Sequence, residues 1–206
     1  MGLPVAEANL SRLSDVTDSL LGNFNVRTII ELGARDCAET LAFSQIYNNS
    51  QIYALECNPA TLHICRKRVR GKKNIHLIEK AASNKSGNIV FYPIDPEKTQ
   101  TTWEDGNPGA SSIFKASGKY PIEQYAQKEI TVKCITLEKL IDDNKIDEID
   151  ILWMDIQGAE LLALRGAGKK LKKIKMIHTE VEFMEIYSGQ PLYGCLLYTS
   201  DAADDT

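Results

Sequence analysis

Residues 26–43 read VRTIIELGARDCAETLAF. The first seven residues are a β-branched run of strand length, and Gly33-Ala34 breaks it. From residue 38 to 47 apolar positions return at helical spacing, so the stretch is a strand, a tight turn and a helix. The plan then repeats. Residues 51–56 (QIYALE) form a strand closed by Asn58-Pro59, residues 60–70 a helix stopped at Gly71, and residues 74–79 (NIHLIE) a third strand. Three alternations in quick succession imply right-handed crossovers and a parallel sheet with helices on both faces. The fold class is therefore α/β, doubly wound, in three layers.

Working outward, residues 5–21 carry Leu10, Leu13, Val16, Leu20 and Leu21 at helical spacing and end at Gly22-Asn23, which predicts an N-terminal amphipathic helix. Residues 87–93 and 130–135 are strand-like, and the Gly/Ser/Pro-rich span 95–120 between them is read as an ordered functional loop. Regular structure resumes with a helix over 136–144, a buried strand over 149–155 (IDILWMD), a helix over 158–171 and a last strand over 175–181. One domain, residues 1–193 with its core from 26, accounts for all of this. Residues 194–206 (GCLLYTSDAADDT) change composition abruptly and resemble a translated sequencing adapter joined to a truncated gene, so they are read as a non-native tail.

Charge and composition narrow the function. The chain has 206 residues, 24 basic against 28 acidic side chains and a net charge of −4. That balance opposes nucleic acid or an anionic membrane as the main partner, because both require a basic field. The basic run Arg66 to Lys73 sits at a helix end, where cations favour the dipole, and the lysines at 169–175 are read the same way. No apolar run approaches a membrane span, and the first 30 residues lack the uninterrupted apolar stretch of a secretory signal, so a cytoplasmic protein is expected. Cysteines 37, 57, 65, 134 and 195 are irregularly spaced, which predicts free thiols and no metal site.

In open parallel sheets ligands bind beyond the carboxyl ends of the strands, where the strand order switches. All five predicted parallel strands end on acids there: Glu31, Glu56, Glu79, Asp155 and Glu180. Such a rim attracts cations and hydroxyl donors and repels phosphates. The first turn has one glycine, Gly33, where a dinucleotide site wants three. S-adenosylmethionine has a sulfonium, an ammonium and no phosphate, and Glu56 at the end of the second strand is placed to accept from both ribose hydroxyls.

Four blocks of the sequence, in order, resemble the FkbM-type S-adenosylmethionine-dependent methyltransferases. They are TIIELGARDCAETLAF, YALECNP, residues 149–160 (IDILWMDIQGAE, with Leu164-Arg165-Gly166-Ala167 after it), and HTEVEF with Tyr187-Ser188-Gly189-Gln190. The resemblance covers roughly residues 26–193. It implies a class I, Rossmann-like domain that usually methylates hydroxyl oxygens, here on a small-molecule or glycan-type acceptor. It also implies a final antiparallel hairpin, which is expected to be missing from this chain. As cofactor-binding residues it implies Glu31, Gly33, Ala34, Arg35, Asp36, Glu56, Cys57, Ala81 after the third strand, Ser112 in a small-residue loop, and Asp155. Cys37 stands where the family commonly has glycine, so a tighter turn or a displaced helix is expected there.

The implied reaction is in-line attack of an acceptor oxygen on a sulfonium methyl group, with a base helping when the nucleophile is a hydroxyl. Asp155 is the first candidate, Glu180 ends the adjacent strand, and His178 lies two residues before Glu180. Trp103 is a candidate for lining the acceptor pocket. Two alternatives stay open: a nicotinamide-dependent oxidoreductase, disfavoured by the incomplete glycine turn and the absence of a Tyr-x-x-x-Lys pair, and a catalytically silent cofactor-binding module.

Overall fold

The structure, a computed structural model, describes residues 15–17 and 25–197. Among these, β1 (Thr28–Leu32), β2 (Gln51–Leu55), β3 (Ile75–Ile78), β7 (Ile149–Met154) and β8 (Ile174–Thr179) form one sheet in the order β3-β2-β1-β7-β8. Every pairing in it is parallel, with Ile29 opposite Ile52 on one side and Ile151 on the other. The chain leaves β1 toward β2 and β3, and later returns to β1's other side as β7. That reversal opens a crevice at the carboxyl ends of β1 and β7.

Alternation along the strands supplies both faces with apolar side chains. On one face Ile29, Ile52 and Ile151 pack with Phe43 of α1 (Ala38–Ile46) and, at its margin, Val69 just after α2 (Pro59–Arg68). On the other, Ile30, Leu32, Leu152 and Met154 meet Leu137, Leu140 and Ile141 of α3 (Leu137–Asp143) and Ala163 of α4 (Glu160–Arg165). The three-layer doubly wound arrangement is thus present. Local chemistry sets the helix starts: Asn58 accepts from the Ala60 N–H at 3.0 Å with Pro59 in the first turn, and Thr136 accepts from the Lys139 N–H at 3.1 Å.

One reading changes in detail. The single helix expected over 158–171 is α4 followed by a separate 3-10 turn, Gly168–Lys173. A Cβ on Gly166 would lie 2.3 Å from the Ser83 carbonyl oxygen, and Gly168 has φ +50°, so the chain bends where these glycines sit. The strand-like middle segments do not extend the main sheet. β5 (Gly87–Phe91) pairs antiparallel with β6 (Ile130–Ile135), and β4 (Ala81–Ala82) pairs parallel with β6, giving a second, three-stranded sheet. The loop between them is ordered, as expected: bridges join Tyr92 to Ser112, Ile94 to Gln127, Gln100 to Gln124, and Ala116 to Tyr187.

Of the predicted N-terminal helix, residues 15–17 are helical, and Thr17 is buried with its hydroxyl 3.9 Å from Met176 Sδ on β8; the rest lies outside the described residues. At the other end, residues 193–197 form a helical turn, and 198–206, most of the predicted tail, lie outside the described residues. Among the described residues no helix is long and apolar enough to cross a membrane.

Candidate functional site

The crevice between β1 and β7 opens into a cleft of about 390 Å³. Its floor is Gly33, with φ +88°. A Cβ at Gly33 would lie 1.9 Å from the Asp155 carbonyl oxygen, so the approach of the two strand ends requires glycine. The next residues stay unusual: Arg35 and Cys37 also have positive φ, and Cys37 caps α1 from the left-handed region at φ 62°. The cysteine therefore keeps a backbone conformation that favours glycine, and α1 starts directly after it at Ala38.

Of the five acids expected to rim the site, Glu56, Asp155 and Glu180 line the cleft. Glu31 and Glu79 do not. Glu31 shares a face of β1 with Ile29, so it points beneath α1, where the Thr40 hydroxyl donates to it; burial holds its carboxyl well above the usual range. Glu79 accepts two bonds from the Arg66 guanidinium, at 2.7 and 2.5 Å.

Glu56 is held by its own turn. Its Oε1 accepts the N–H groups of Cys57 and Asn58 at 2.7 and 2.6 Å, and the Arg35 N–H also bonds its carboxyl. These donors oppose the effect of burial, which lifts its pKa to about 7. At the opposite end, burial and then the Asp155 charge raise Glu180 to about 7, while Gln157 draws it down. The Gln157 Nε2 donates to Asp155 Oδ1 at 2.7 Å and Glu180 Oε2 at 3.0 Å, and the Tyr187 hydroxyl lies 2.9 Å from Gln157 Oε1. Tyr187 stacks on Tyr125, whose hydroxyl donates to Glu123 at 2.6 Å.

The loop over 95–120 forms the outer wall. Arg35 pairs with Asp105 at 2.7 Å and stacks on Trp103 at 5.4 Å, tying the loop to the first turn. Trp103 lines the cleft, together with Tyr120 and Tyr125. Ser111, bonded by Asn58 Nδ2 at 3.2 Å, faces it, whereas Ser112 is buried behind and donates to the Gln157 carbonyl at 2.7 Å.

Gly33, Arg35, Glu56, Cys57, Ala81, Asp155 and Glu180 are thus brought together. Ala34 is buried with Cys37 and Cys65, and Asp36 accepts the Ala38 N–H at 3.1 Å and pairs with Arg68 at 2.7 Å, serving the start of α1. His178 is not among the lining residues; its ring lies flat on Trp153, 3.7 Å between centroids, and burial lowers its pKa. Sequence reasoning missed Asn58, Ser111, Tyr120, Glu123 and Tyr125. Of these only Asn58 carried a signal, the Asn-Pro helix start after Glu56.

The donor set suits a ligand with hydroxyls at one end and a positive centre between carboxylates. Glu56 has three backbone donors against about four lone-pair positions, leaving room for a further donor. A hydroxyl donor or a cation placed beside it would favour its ionised form. Residues 31–202 match the methyltransferase FkbM domain family. The chain is 27% identical over 164 residues to the 2-O-methyltransferase NoeI of Sinorhizobium fredii (strain NBRC 101917 / NGR234), covering 79% of this chain and 66% of that protein. It therefore spans just under two thirds of that relative's length. Among solved structures, methyltransferase FkbM from Methylobacillus flagellatus KT aligns at 15% identity and a TM-score of 0.42, over 69% of this chain and 29% of that one. A precorrin-6y C5,15-methyltransferase from Geobacter metallireducens GS-15 aligns at 15% identity and a TM-score of 0.44, over 94% and 70%.

Proposed function

The chain belongs to the FkbM methyltransferase domain family, and from that premise we propose that its cleft binds S-adenosylmethionine and that it methylates a hydroxyl oxygen of a small-molecule or sugar-containing acceptor. The observation that carries the reading is the placement of Glu56 at one end of the cleft and the Asp155, Glu180 pair at the other, either side of the Gly33 floor. When bound, the cofactor supplies a methyl group on a positively charged sulfur. Glu56 is the residue that accepts from its ribose hydroxyls. Asp155 with Glu180 takes the proton that the acceptor hydroxyl gives up, a contribution of about 10²–10⁴ in rate. Trp103, Tyr120 and Tyr125 in the lining offer flat apolar faces and polar edges, which suits a sugar ring. The 2-O-methyltransferase relative supports oxygen as the acceptor atom. His178, stacked outside the lining, has no part in this reading.

Calorimetric titration of the 206-residue chain with S-adenosylhomocysteine, with NADH as the control, tests it. Binding of the first alone at micromolar affinity, about −8 kcal/mol, is expected. Binding of NADH alone overturns the reading in favour of the oxidoreductase alternative, and an S-adenosylhomocysteine affinity unchanged by Glu56→Ala removes the role given to Glu56.

A further inference from the structure

The turn after β7 contains a residue that neither the cofactor nor the acceptor reading uses. Gln157 has φ 53°, a left-handed conformation that strains a residue with a Cβ and persists where surroundings hold it. They hold it from three directions. Its carbonyl accepts from Ser112 Oγ at 2.7 Å, its Oε1 faces the Tyr187 hydroxyl at 2.9 Å, and its Nε2 donates to Asp155 and Glu180. Tyr187 is itself fully buried, with its hydroxyl 2.7 Å from the Ala110 carbonyl.

We infer that Gln157 is a positioning residue: its amide, seated by Tyr187, holds Asp155 and Glu180 as one oriented carboxylate pair at the acceptor end of the cleft. The role at the acceptor end rests on the methyltransferase reading; the clamp itself does not. A primary amide has two N–H donors, and here each serves one acid. The amide takes Asp155 Oδ1 and Glu180 Oε2, and each carboxylate keeps lone pairs for an incoming hydroxyl. Turned half a revolution, the amide would set its own oxygen against two carboxylates, so ionised acids fix its direction. A neutral donor between two acids also does what a cation would do more strongly: it eases their repulsion without capturing either as an ion pair. The bond to Gln157 favours ionised Glu180 against the effects of burial and Asp155. The other groups facing the pair are Glu182 beyond β8, Glu160 at the start of α4, Tyr125 ahead of β6, Tyr187, and His178, on which the Asp155 charge acts.

The test follows the side-chain carboxyl carbons of Asp155 and Glu180 by ¹³C NMR across pH in the full chain, in wild type, Gln157→Leu and Tyr187→Phe. Loss of the donor in Gln157→Leu shifts the Glu180 titration upward, and Tyr187→Phe shifts it in the same direction by less. A role in folding alone lowers the melting temperature and leaves the titration in place, so a folded Gln157→Leu chain titrating as wild type overturns the inference. If Gln157→Leu does not fold, Tyr187→Phe decides by the same criterion. Failure of wild type to bind S-adenosylhomocysteine counts against the methyltransferase reading and leaves the titration result standing, so the two failures are distinguishable.

Discussion

Gly33 meets two demands that no side chain satisfies together. Its φ of +88° strains any residue with a Cβ, and that Cβ would overlap the Asp155 carbonyl oxygen at 1.9 Å. Gly33→Ala therefore separates the ends of β1 and β7 or bends one of them. The expected cost is at least about 2 kcal/mol of stability, with loss of S-adenosylhomocysteine binding, measured by urea denaturation and calorimetry. Cys37 makes a contrast: its backbone is left-handed too, at φ 62°, yet it carries a side chain, buried with Ala34 and Cys65. Gly33 was legible in the sequence because a lone glycine closing a β-branched run marks the sharp turn at a strand's end. Ser112 was misplaced by one position because neighbouring residues of an irregular loop face opposite ways with no period to say which; Ser111 faces the cleft. Glu31 could have been placed correctly, since alternation puts it on the same face as Ile29.

At the scale of elements, the carboxyl ends of the strands carry the chemistry and the opposite ends carry the stitching. Asp150, at the start of β7 and buried, accepts the N–H groups of Arg27 and Thr28 at 2.7 and 3.0 Å and pairs with Lys175 of β8 at 2.9 Å. One carboxylate thus ties together the beginnings of three adjacent parallel strands. Asp150→Ala leaves two backbone donors unmet and weakens the anchoring of Lys175, which also reaches Glu148 at 2.6 Å. A loss of about 3 kcal/mol is expected, read from the urea midpoint, while S-adenosylhomocysteine affinity stays near wild type because the cleft lies at the other end of the sheet. A change in affinity comparable to that of Glu56→Ala would contradict this division between the two ends. The parallel strands were legible because buried strands read as β-branched and aliphatic runs. The second sheet was not: β4 is two residues long, and the loop is held by isolated bridges whose partners lie far apart in sequence. Glu123 and Tyr125 enter the cleft from that loop-bound segment, which is why no spacing rule found them.

Across the whole molecule the buried acids set a common pH dependence. Burial raises Glu56 and Glu180 to about 7 and Glu160 to about 8, each above an unfolded value near 4.3. Between those values the folded chain binds more protons than the unfolded one, so stability falls as pH rises. The contribution is complete below the unfolded pKa and is lost through pH 7 to 8. Glu79 and Glu123 have the opposite sign: the Arg66 guanidinium lowers Glu79, and at Glu123 burial is outweighed by the bonds from Thr101, Tyr125 and Asn107 together, so their contribution is lost as pH falls below about 4, leaving a maximum in mildly acidic solution. The melting temperature is therefore expected to decline from pH 5.5 to pH 8.5, by about 2–4 °C for each kcal/mol lost. Glu160 isolates one member of the set. It is buried at the start of α4, and its Oε1 accepts the Ile156 N–H at 2.9 Å, an acceptor that glutamine retains. Glu160→Gln mimics the protonated acid, so the variant and wild type should converge toward pH 4, below the unfolded pKa, and the gap between them should widen from pH 5.5 to pH 8.5, with the variant more stable. Parallel curves across that range would show that Glu160 is not protonated in the folded chain.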